Sequence, residues 1–463
     1  MKILSITIFA ILSFGLTGCN LYKSYSRPEG LPVDSLYATP AAEAMAAPDS
    51  LKPLGTMPWR QLFADPLLQA LIEEGLGSNT DLQVAMLRID EAAAGLKAAK
   101  LAYLPELTLS PNGSITSVDG HKAVKTYEIP VNLSWEIDLF GKLRNAKREK
   151  QMQLLAQSAY AEGVRSELIA SIANCYYTLL MLDSQVEVSS STIDVWREQV
   201  RTMELLLKVG DIHENALTQA RANLNGLLAS HNTLLRQQRE TENSMCTLLG
   251  TTWRPIGRGS LDAQTMPEGI SAGLPLNLLS RRPDVVAAEM TLAASFYSTN
   301  QARAAFYPSL TLGGSAGWTN ALGQGVSNPG GWLLSALAQL TQPFFQRGKL
   351  ISNLRVAKDE EQIALLNYRQ ALLDAGQEVN DALFAIESYG QNYDFHSGQC
   401  DDLQRTVRSN EILFRTNNAT YLELLSARQE LLNSRINLIA DRVSQLQAVV
   451  TLYRALGGGA EMQ

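Results

Sequence analysis

A strand that runs directly into a very long helix is the feature that most constrains this fold. Apolar and polar residues alternate from Tyr127 to Leu139, which is the period of a strand with one apolar and one polar face. After this stretch the apolar residues recur at steps of four and three, the heptad pattern of a left-handed coiled coil. A helix from Gly141 to Val209 contains no proline and would be about 100 Å long at ~1.5 Å per residue. A compact soluble domain has no use for such an element, whereas a conduit across a periplasm does.

The same plan occurs twice in the chain. The segment Lys100–Leu109 reads KLAYLPELTL and Arg303–Leu312 reads RAAFYPSLTL, so that the two prolines lie 203 positions apart (308 − 105). Three further pairs lie 207 positions apart (348 − 141): Gly141-Lys142-Leu143 with Gly348-Lys349-Leu350, Ala220-Arg221 with Ala427-Arg428, and Leu249-Gly250 with Leu456-Gly457. Matches at a nearly fixed offset predict an internal two-fold repeat, with four extra residues in a loop between the two strands of the second copy.

The helix lengths are consistent within each copy. The chain turns at Gly210 and returns from Asn215 to Leu249, about half the length of the descending helix. The segment Asp81–Tyr103 has about the missing length and would cover the half of the descending helix that the returning helix does not reach. In the second copy, Gly348–Phe414 pairs with Thr420–Leu456 and Val285–Phe306 in the same way.

Each copy also supplies two strands. They are expected at Leu107–Val118 and Tyr127–Leu139, and at 310–319 and 332–344, each close to the ~9–11 residues that cross a bilayer. Open sheet edges do not survive in lipid, and membrane barrels have at least about eight strands, so one chain cannot close a barrel alone. Two chains would give eight strands and three would give twelve, and strand count does not choose between them. The alternative is a soluble four-stranded sheet with one wet face.

The N-terminus has the form of a secretory signal. Lys2 precedes an apolar run from Ile3 to Leu16, followed by Thr17-Gly18-Cys19, which resembles the bacterial lipoprotein box. By that resemblance Cys19 is acylated and becomes the first mature residue, and Asn20 after it favours delivery to the outer membrane. The alternative is an ordinary cleavage site with an incidental cysteine. Because three cysteines then remain, a full disulfide framework is not expected, and the heptad position of Cys175 predicts core packing.

The net charge and the absence of certain motifs from the sequence argue against several functions. The net charge of −7 disfavours nucleic acid as a partner. The four histidines have no metal-ligand spacing, and no phosphate-binding loop is present, so the sequence predicts neither an enzyme nor a cofactor. Glu128, Glu136 and Asp138 instead lie where they would line the mouth of a pore and favour cations.

Five motifs stand out in the chain: Leu278-Leu279-Ser280-Arg281-Arg282-Pro283-Asp284-Val285, Ala287-Ala288-Glu289, Ala302-Arg303-Ala304-Ala305-Phe306-Tyr307-Pro308, Leu133-Ser134-Trp135-Glu136-Ile137-Asp138-Leu139-Phe140-Gly141-Lys142 and Leu452-Tyr453-Arg454-Ala455-Leu456-Gly457-Gly458-Gly459. With these motifs the chain resembles the outer-membrane efflux family of TolC and OprM, in its lipoprotein branch. The resemblance covers nearly all the mature chain. It implies a mostly α protein with membrane β structure: a trimeric twelve-stranded β-barrel continuous with a long α-helical coiled-coil barrel. It also implies a periplasmic adaptor and an inner-membrane pump of the resistance-nodulation-division type as partners.

The resemblance also assigns roles to individual residues. Val209-Gly210-Asp211 matches the family's helix-tip motif, which meets the adaptor; Gly210 permits the reversal and Asp211 can cap the next helix. The second tip has Asn417 and Asn418, with Asn417 where the family usually has glycine. Leu422 and Ser426 match positions that narrow the closed periplasmic end. A turn without a contact role, and ordinary helix packing for Leu422, are the alternatives.

The expected function is a passive exit duct for drug efflux in the outer membrane. The alternatives are a channel for type I protein secretion and a lipid-tethered structural coiled coil. The chain then divides into a signal peptide (1–18), a lipidated extended segment (19–64), the first repeat (65–250), a periplasmic equatorial segment (251–281), the second repeat (282–458) and a tail (459–463).

Overall fold

The computed structural model describes residues 22–30, 54–117, 119–120, 123–266, 281–320, 331–416 and 421–459. Its helices are α1 (Pro66–Ser78), α2 (Thr80–Leu101), α3 (Lys142–Lys208), α4 (Glu214–Leu248), α5 (Pro283–Ala304), α6 (Lys349–Arg415) and α7 (Tyr421–Ala455). Its strands are β1 (Glu106–Leu109), β2 (Asn112–Thr116), β3 (Val124–Ile137), β4 (Ser309–Thr319) and β5 (Gly331–Thr341). Within the described part of the chain, no helix is both long and apolar enough to cross a membrane.

The helix lengths confirm the internal repeat. Helices α3 and α6 both have 67 residues, α4 and α7 both have 35, and α2 and α5 both have 22. The offset is 203 between α2 and α5 (283 − 80) and 207 between α3 and α6 (349 − 142), as the recurring motifs predict. The predicted bounds of all six helices differ from the observed ones by no more than two residues.

The chain divides into two compact units. The first comprises Met1–Leu31, Arg88–Gln157 and Ala287–Tyr368, and the second comprises Pro32–Leu87, Ser158–Val286 and Arg369–Gln463. The sheet lies in the first unit. Most of the hydrophobic core lies in the second.

The sheet is antiparallel throughout, in the order β1-β3-β4-β5, with β2 also paired to β3. The two hairpins are therefore joined by pairing of β3 with β4. The predicted single strand over Leu107–Val118 is wrong, because β1 and β2 are separated at Ser110 and Pro111. Pro111 has no N–H to donate to the ladder, which explains the break. Val118 lies outside the described residues.

The core of the second unit joins both repeats to the segments between them. Leu168, Ile172 and Leu179 of the predicted heptad seam are at most 5% exposed and pack with Val443 and Leu446 of α7 in one cluster. Trp196 and Met203, further along the seam, are each 1% exposed in a second cluster. The heptad pattern therefore marks the buried face of α3.

Cys175 of the seam is partly buried and packs against the first cluster. Burial raises the pKa of its thiol to about 11, and the thiol is therefore protonated at neutral pH. Cys246 and Cys400 are buried free thiols. Core packing explains the positions of all three.

The segment before α1 covers part of this core. It forms helical turns at Leu54–Thr56 and Trp59–Leu62, so the expectation of extended chain is wrong here. Tyr453 donates a hydrogen bond to the Met57 carbonyl at 2.8 Å. A Cβ on Gly55 would lie 2.3 Å from the Leu456 carbonyl oxygen, which leaves no room for a side chain.

Asp65 ties three segments together. Its side chain accepts hydrogen bonds from the Tyr176 hydroxyl (2.6 Å), the Gln264 amide (2.8 Å) and the Leu67 backbone amide at the start of α1 (2.9 Å). Burial raises the pKa of this carboxyl, but these bonds outweigh burial and hold the pKa below its ordinary value. The ionised form therefore stabilises the fold, because it accepts all three bonds.

We expect Tyr176→Phe to lower the free energy of unfolding by about 1.5–3 kcal/mol at neutral pH, because the bond to a charged carboxylate is lost. The contribution of ionised Asp65 is full above its unfolded pKa of about 3.9 and is lost as the pH falls through the lower folded pKa. The free energies of unfolding of the wild type and of Tyr176→Phe, measured from pH 7 down to pH 3, should therefore converge as the pH falls. Tyr389→Phe, at a site 36% exposed, is the control, and an equal loss in both variants would contradict the role of Asp65.

Candidate functional site: the sheet faces, the N-terminal segment and the helix tips

The strand register places apolar residues opposite one another on one face of the sheet. Ile129 pairs with Trp318, and Trp318 with Trp332; further along, Val131 pairs with Ala316, and Ala316 with Leu334. This face is open, with Trp332 77% and Leu334 84% exposed. An exposed apolar sheet face of this extent is typical of a surface that contacts lipid or another protein.

The opposite face is polar. Asn132, Ser315 and Ser335 are aligned across three strands, and the two serine hydroxyls lie 2.7 Å apart. Glu128 and Glu136 share this face. The alternation predicted from Tyr127 to Leu139 is confirmed in β3, and β4 and β5 continue it across the sheet.

The three predicted pore carboxylates have different environments. Glu128 lies within β3, 3.4 Å from the Asn112 amide. Glu136 pairs with Lys142 at 2.8 Å. Asp138 lies beyond β3 and accepts hydrogen bonds from the backbone amides of Leu143 (3.1 Å) and Arg144 (2.8 Å) at the start of α3. Asp138 therefore caps the long helix, a structural role that the sequence assignment missed.

Cys19, the predicted lipid attachment, lies outside the described residues. The segment that follows it at 22–30 is anchored in the first unit by Arg27, whose guanidinium donates to both carboxylate oxygens of Glu289 at 2.8 and 2.6 Å. The Glu289 side chain is 9% exposed and the Arg27 side chain 53%. Tyr25 packs edge-on against Phe296, with ring centroids 5.9 Å apart. These contacts fix the chain at Tyr25 and Arg27, shortly after the predicted attachment point at Cys19.

The first helix tip is a tight glycine turn. Gly210 has φ +80°, and the amides of Gly210 and Asp211 donate to the carbonyls of Leu207 (3.1 Å) and Leu206 (3.0 Å). This arrangement satisfies the last carbonyls of α3 through a left-handed residue. Val209 is 74% exposed at the apex. The residue at the N-cap of α4 is His213 rather than Asp211, and its side chain makes no capping bond, so the predicted cap at Asp211 is wrong.

The second tip is described only in part. Asn417 and Asn418 lie outside the described residues, and Leu422 belongs to α7 but its side chain lies outside them as well. Ser426 is exposed, one turn further along α7.

Two arginines near the helix tips form ion pairs at equivalent positions of the two repeats. Arg221 of α4 lies 2.6 Å from Glu204 of α3, and Arg428 of α7 lies 2.6 Å from Glu411 of α6. Both pairs obey the 207-residue offset of the repeat. Arg428 also donates to Gln199 of α3 at 2.9 Å and thereby connects the two repeats. The recurring Ala-Arg motif was the sequence signal for these pairs, although its ionic partners were not predicted.

The two arginines differ in burial. The Arg428 side chain is 15% exposed and the Arg221 side chain 56%. Exposed ion pairs contribute about 0–1 kcal/mol, whereas a desolvated guanidinium with two partners contributes more. Arg428 is therefore the stronger link near the tips.

Comparison with known proteins gives concordant matches. The family model described as outer membrane efflux protein matches residues 71–251 and 274–458. The probable efflux pump outer membrane protein TtgC of Pseudomonas putida is 30% identical, over 98% of this chain and 96% of that protein. The probable outer membrane lipoprotein SilC of Salmonella typhimurium is 28% identical, over 99% of both. The open-state structure of the Neisseria gonorrhoeae MtrE outer membrane channel has a TM-score of 0.84 and 25% identity, over 95% of this chain and 99% of that chain.

We expect Arg428→Ala to lower the free energy of unfolding by about 1.5–3 kcal/mol, because Glu411 and Gln199 lose their shared donor. The repeat supplies the matched control: Arg221→Ala removes the equivalent exposed pair and should cost less than about 1 kcal/mol. Thermal unfolding of both variants under one detergent condition measures the difference. Equal destabilisation would show that burial does not distinguish the two pairs.

Proposed function

The chain belongs to the outer membrane efflux protein family, and we propose that three copies assemble into the exit duct of a tripartite drug efflux system. It is an outer-membrane efflux channel with a large periplasmic part, and it is not an enzyme. The trimer, the gate and the individual contact residues are parts of our proposal. The apolar sheet face, followed immediately by 67-residue helices, is the observation that carries it.

The sheet supports assembly from several copies. Among the described strands, β5 is paired on one side only, and so is the arm formed by β1 and β2. In lipid, unpaired backbone N–H and C=O groups cost several kcal/mol each, so both edges need a partner. One chain supplies four strand arms. β1 and β2 pair with successive parts of β3 and count together as one arm, and β3, β4 and β5 are the other three. Three copies would close a barrel of twelve, edge to edge.

The same observation disfavours a lipid-tethered structural coiled coil. Such a protein needs no apolar sheet face, and Trp332 and Leu334 would be exposed to water without benefit. A type I secretion channel shares the proposed architecture. The efflux relatives and the lipoprotein box favour drug efflux over secretion.

We propose that the two ends of the duct have different roles. Glu128 and Glu136 lie on the polar face, which would line the pore mouth and favour cations; Asp138 would contribute less, because it caps α3. Leu422 and Ser426 would form the periplasmic gate near the tips. The exposure of Ser426 is compatible with a pore-lining position.

The helix tips are the proposed contact with the periplasmic adaptor, which in turn joins an inner-membrane pump of the resistance-nodulation-division type. The tips are Val209, Gly210 and Asp211 in the first repeat, with Asn417 and Asn418 in the second. The exposed valine on a rigid glycine turn supports this role, because its side chain stabilises little in the isolated chain.

Native mass spectrometry of the detergent-purified mature protein should give three chains, each carrying an acylated Cys19. Planar-bilayer recording of the same sample should show conductance, because a closed barrel encloses a channel. In Cys19→Ser the acyl mass should be absent. A monomer that keeps its fold and does not conduct would refute the pooled barrel and leave the tethered coiled coil as the better account.

Val209→Asp should abolish drug resistance conferred by the complete efflux system while leaving the trimer intact. The substitution lies at an exposed turn and should change the free energy of unfolding by less than about 0.5 kcal/mol. Val195→Asp, on α3 about four turns before the tip and 48% exposed, is the control. Drug susceptibility and adaptor pull-down measure both variants, and full resistance in Val209→Asp would remove the tip from the adaptor contact.

A further inference from the structure

A basic cleft in the first unit has no role in the proposed duct. It has a volume of about 360 Å³ and lies between the N-terminal segment 22–30, α5 and α6. Three of its lining residues are cationic, Lys23, Arg303 and Lys358, and one is a carboxylate, Glu361. The lining therefore has a net charge of +2 (3 − 1), in a chain whose total charge is −7. A local charge opposite in sign to that of the whole chain favours an anionic ligand.

The three cations of the cleft have no acidic partner of their own. Arg303 donates to the Asn300 side-chain oxygen at 2.9 Å, which is a neutral acceptor. Within the described part of the chain, none of Lys23, Arg303 and Lys358 forms an ion pair, and all three are exposed. The cleft therefore has three cations available to an anion.

Contacts between its walls fix the shape of the cleft. Two hydrogen bonds from Arg27 to the Glu289 carboxylate hold the N-terminal segment on α5. Thr299 of α5, which is fully buried, donates to the Ala357 carbonyl of α6 at 3.0 Å. These contacts join the three elements that form the cleft, so its shape does not depend on a ligand.

The cleft lies at the end of α5 and α6 that is next to the sheet. Helix α5 ends five residues before β4 begins (309 − 304), and α6 begins eight residues after β5 ends (349 − 341). Side chains on a helix lean toward its N-terminus. Lys358, nine residues after the start of α6 (358 − 349), therefore leans toward the sheet, and Arg303 in the last turn of α5 leans toward the level of Lys358.

The proposed acylation of Cys19 places lipid beside this cleft. Four residues separate Cys19 from Lys23, and they span at most ~14 Å of extended chain. Acyl chains on Cys19 enter the periplasmic leaflet of the outer membrane, which consists of phospholipid. Phe344 and Phe345, 94% and 84% exposed directly after β5, are placed to contact lipid at the same boundary.

We propose that this cleft binds the phosphate of an anionic phospholipid headgroup from the periplasmic leaflet. Arg303 donates to two phosphate oxygens through its planar fork, and Lys23 and Lys358 act as point charges on either side. Basic pockets between the helices of other membrane proteins bind anionic headgroups in this way, and each Lys or Arg near the membrane surface strengthens the binding severalfold. The source of the lipid rests on the proposed anchor at Cys19, whereas the charge of the cleft does not.

Native mass spectrometry of the detergent-purified mature protein, titrated with dioleoyl phosphatidylglycerol, tests the site. Lys23→Gln combined with Lys358→Gln should weaken the tightest binding of this lipid at least tenfold, because two of the three cations are lost. Glu361→Gln removes the carboxylate of the lining and should strengthen the binding severalfold. A change in opposite directions is not expected if the variants merely disturb the fold.

The matched control is Arg201→Gln combined with Arg405→Gln, which removes two cations at positions 77% and 75% exposed toward the helix tips. This variant should bind phosphatidylglycerol like the wild type. Phosphatidylcholine, whose headgroup has no net charge, should bind to the wild type at least tenfold more weakly. Equal binding of the two lipids, or wild-type affinity in the variant that lacks both lysines, would overturn the proposal.

Two further outcomes separate the source of the phosphate from the anchor. Displacement of the lipid by millimolar inorganic phosphate would assign the cleft to free phosphate and overturn the headgroup proposal. The same spectra report the acyl mass on Cys19. Charge-dependent lipid binding by a chain without that mass would leave the cleft as a lipid site and show that the proposed anchor is wrong.

Discussion

The backbone of a sheet in lipid must have every N–H and C=O group paired, and the rest of this structure follows from that constraint. The sheet already has an apolar face suited to lipid, but within the described chain its outer arms are each paired on one side only. No rearrangement inside four arms produces a closed barrel, so the proposed duct needs strands from other copies. Asp138 caps α3 within a few residues of the end of β3, so the long helix begins where this strand stops.

Internal duplication gives the chain two sets of helices in the same order and of the same lengths. Helices of equal length in the two repeats present equivalent surfaces. The repeats nevertheless differ in what covers those surfaces: Tyr177 is buried while its counterpart Phe384 is open. Arg428 donates a hydrogen bond to Gln199 in the other repeat, while Arg221 pairs with Glu204 in its own repeat. Equivalent helix faces therefore have different surroundings in the two repeats of one chain.

Much of this could be predicted from the sequence, because periodicity reports directly on burial. The heptad seam through Leu179 and Trp196 gave the buried face of α3, and the recurring glycine motifs gave the helix bounds. The sequence predictions are wrong where a single residue determines the local backbone structure. Pro111 divides the first strand because it lacks an amide hydrogen. His213 rather than Asp211 takes the N-cap position because α4 begins at Glu214. The pairing of β3 with β4 and the ionic partners of Arg428 depend on contacts across some 190 and 230 residues, which periodicity does not record.

Polar contacts within one chain hold the second repeat on α3 of the first. Arg428, whose side chain is 15% exposed, donates to Gln199 of α3 and pairs with Glu411. Gln447 donates to the Thr178 hydroxyl and the Asn174 carbonyl of α3. The equivalent positions of the first repeat are Arg221, whose side chain is 56% exposed, and Glu240, whose carboxylate has no proton to donate. With net contributions of about 0.5–1.5 kcal/mol for each hydrogen bond, the contacts of α7 on α3 stabilise the chain by a few kcal/mol.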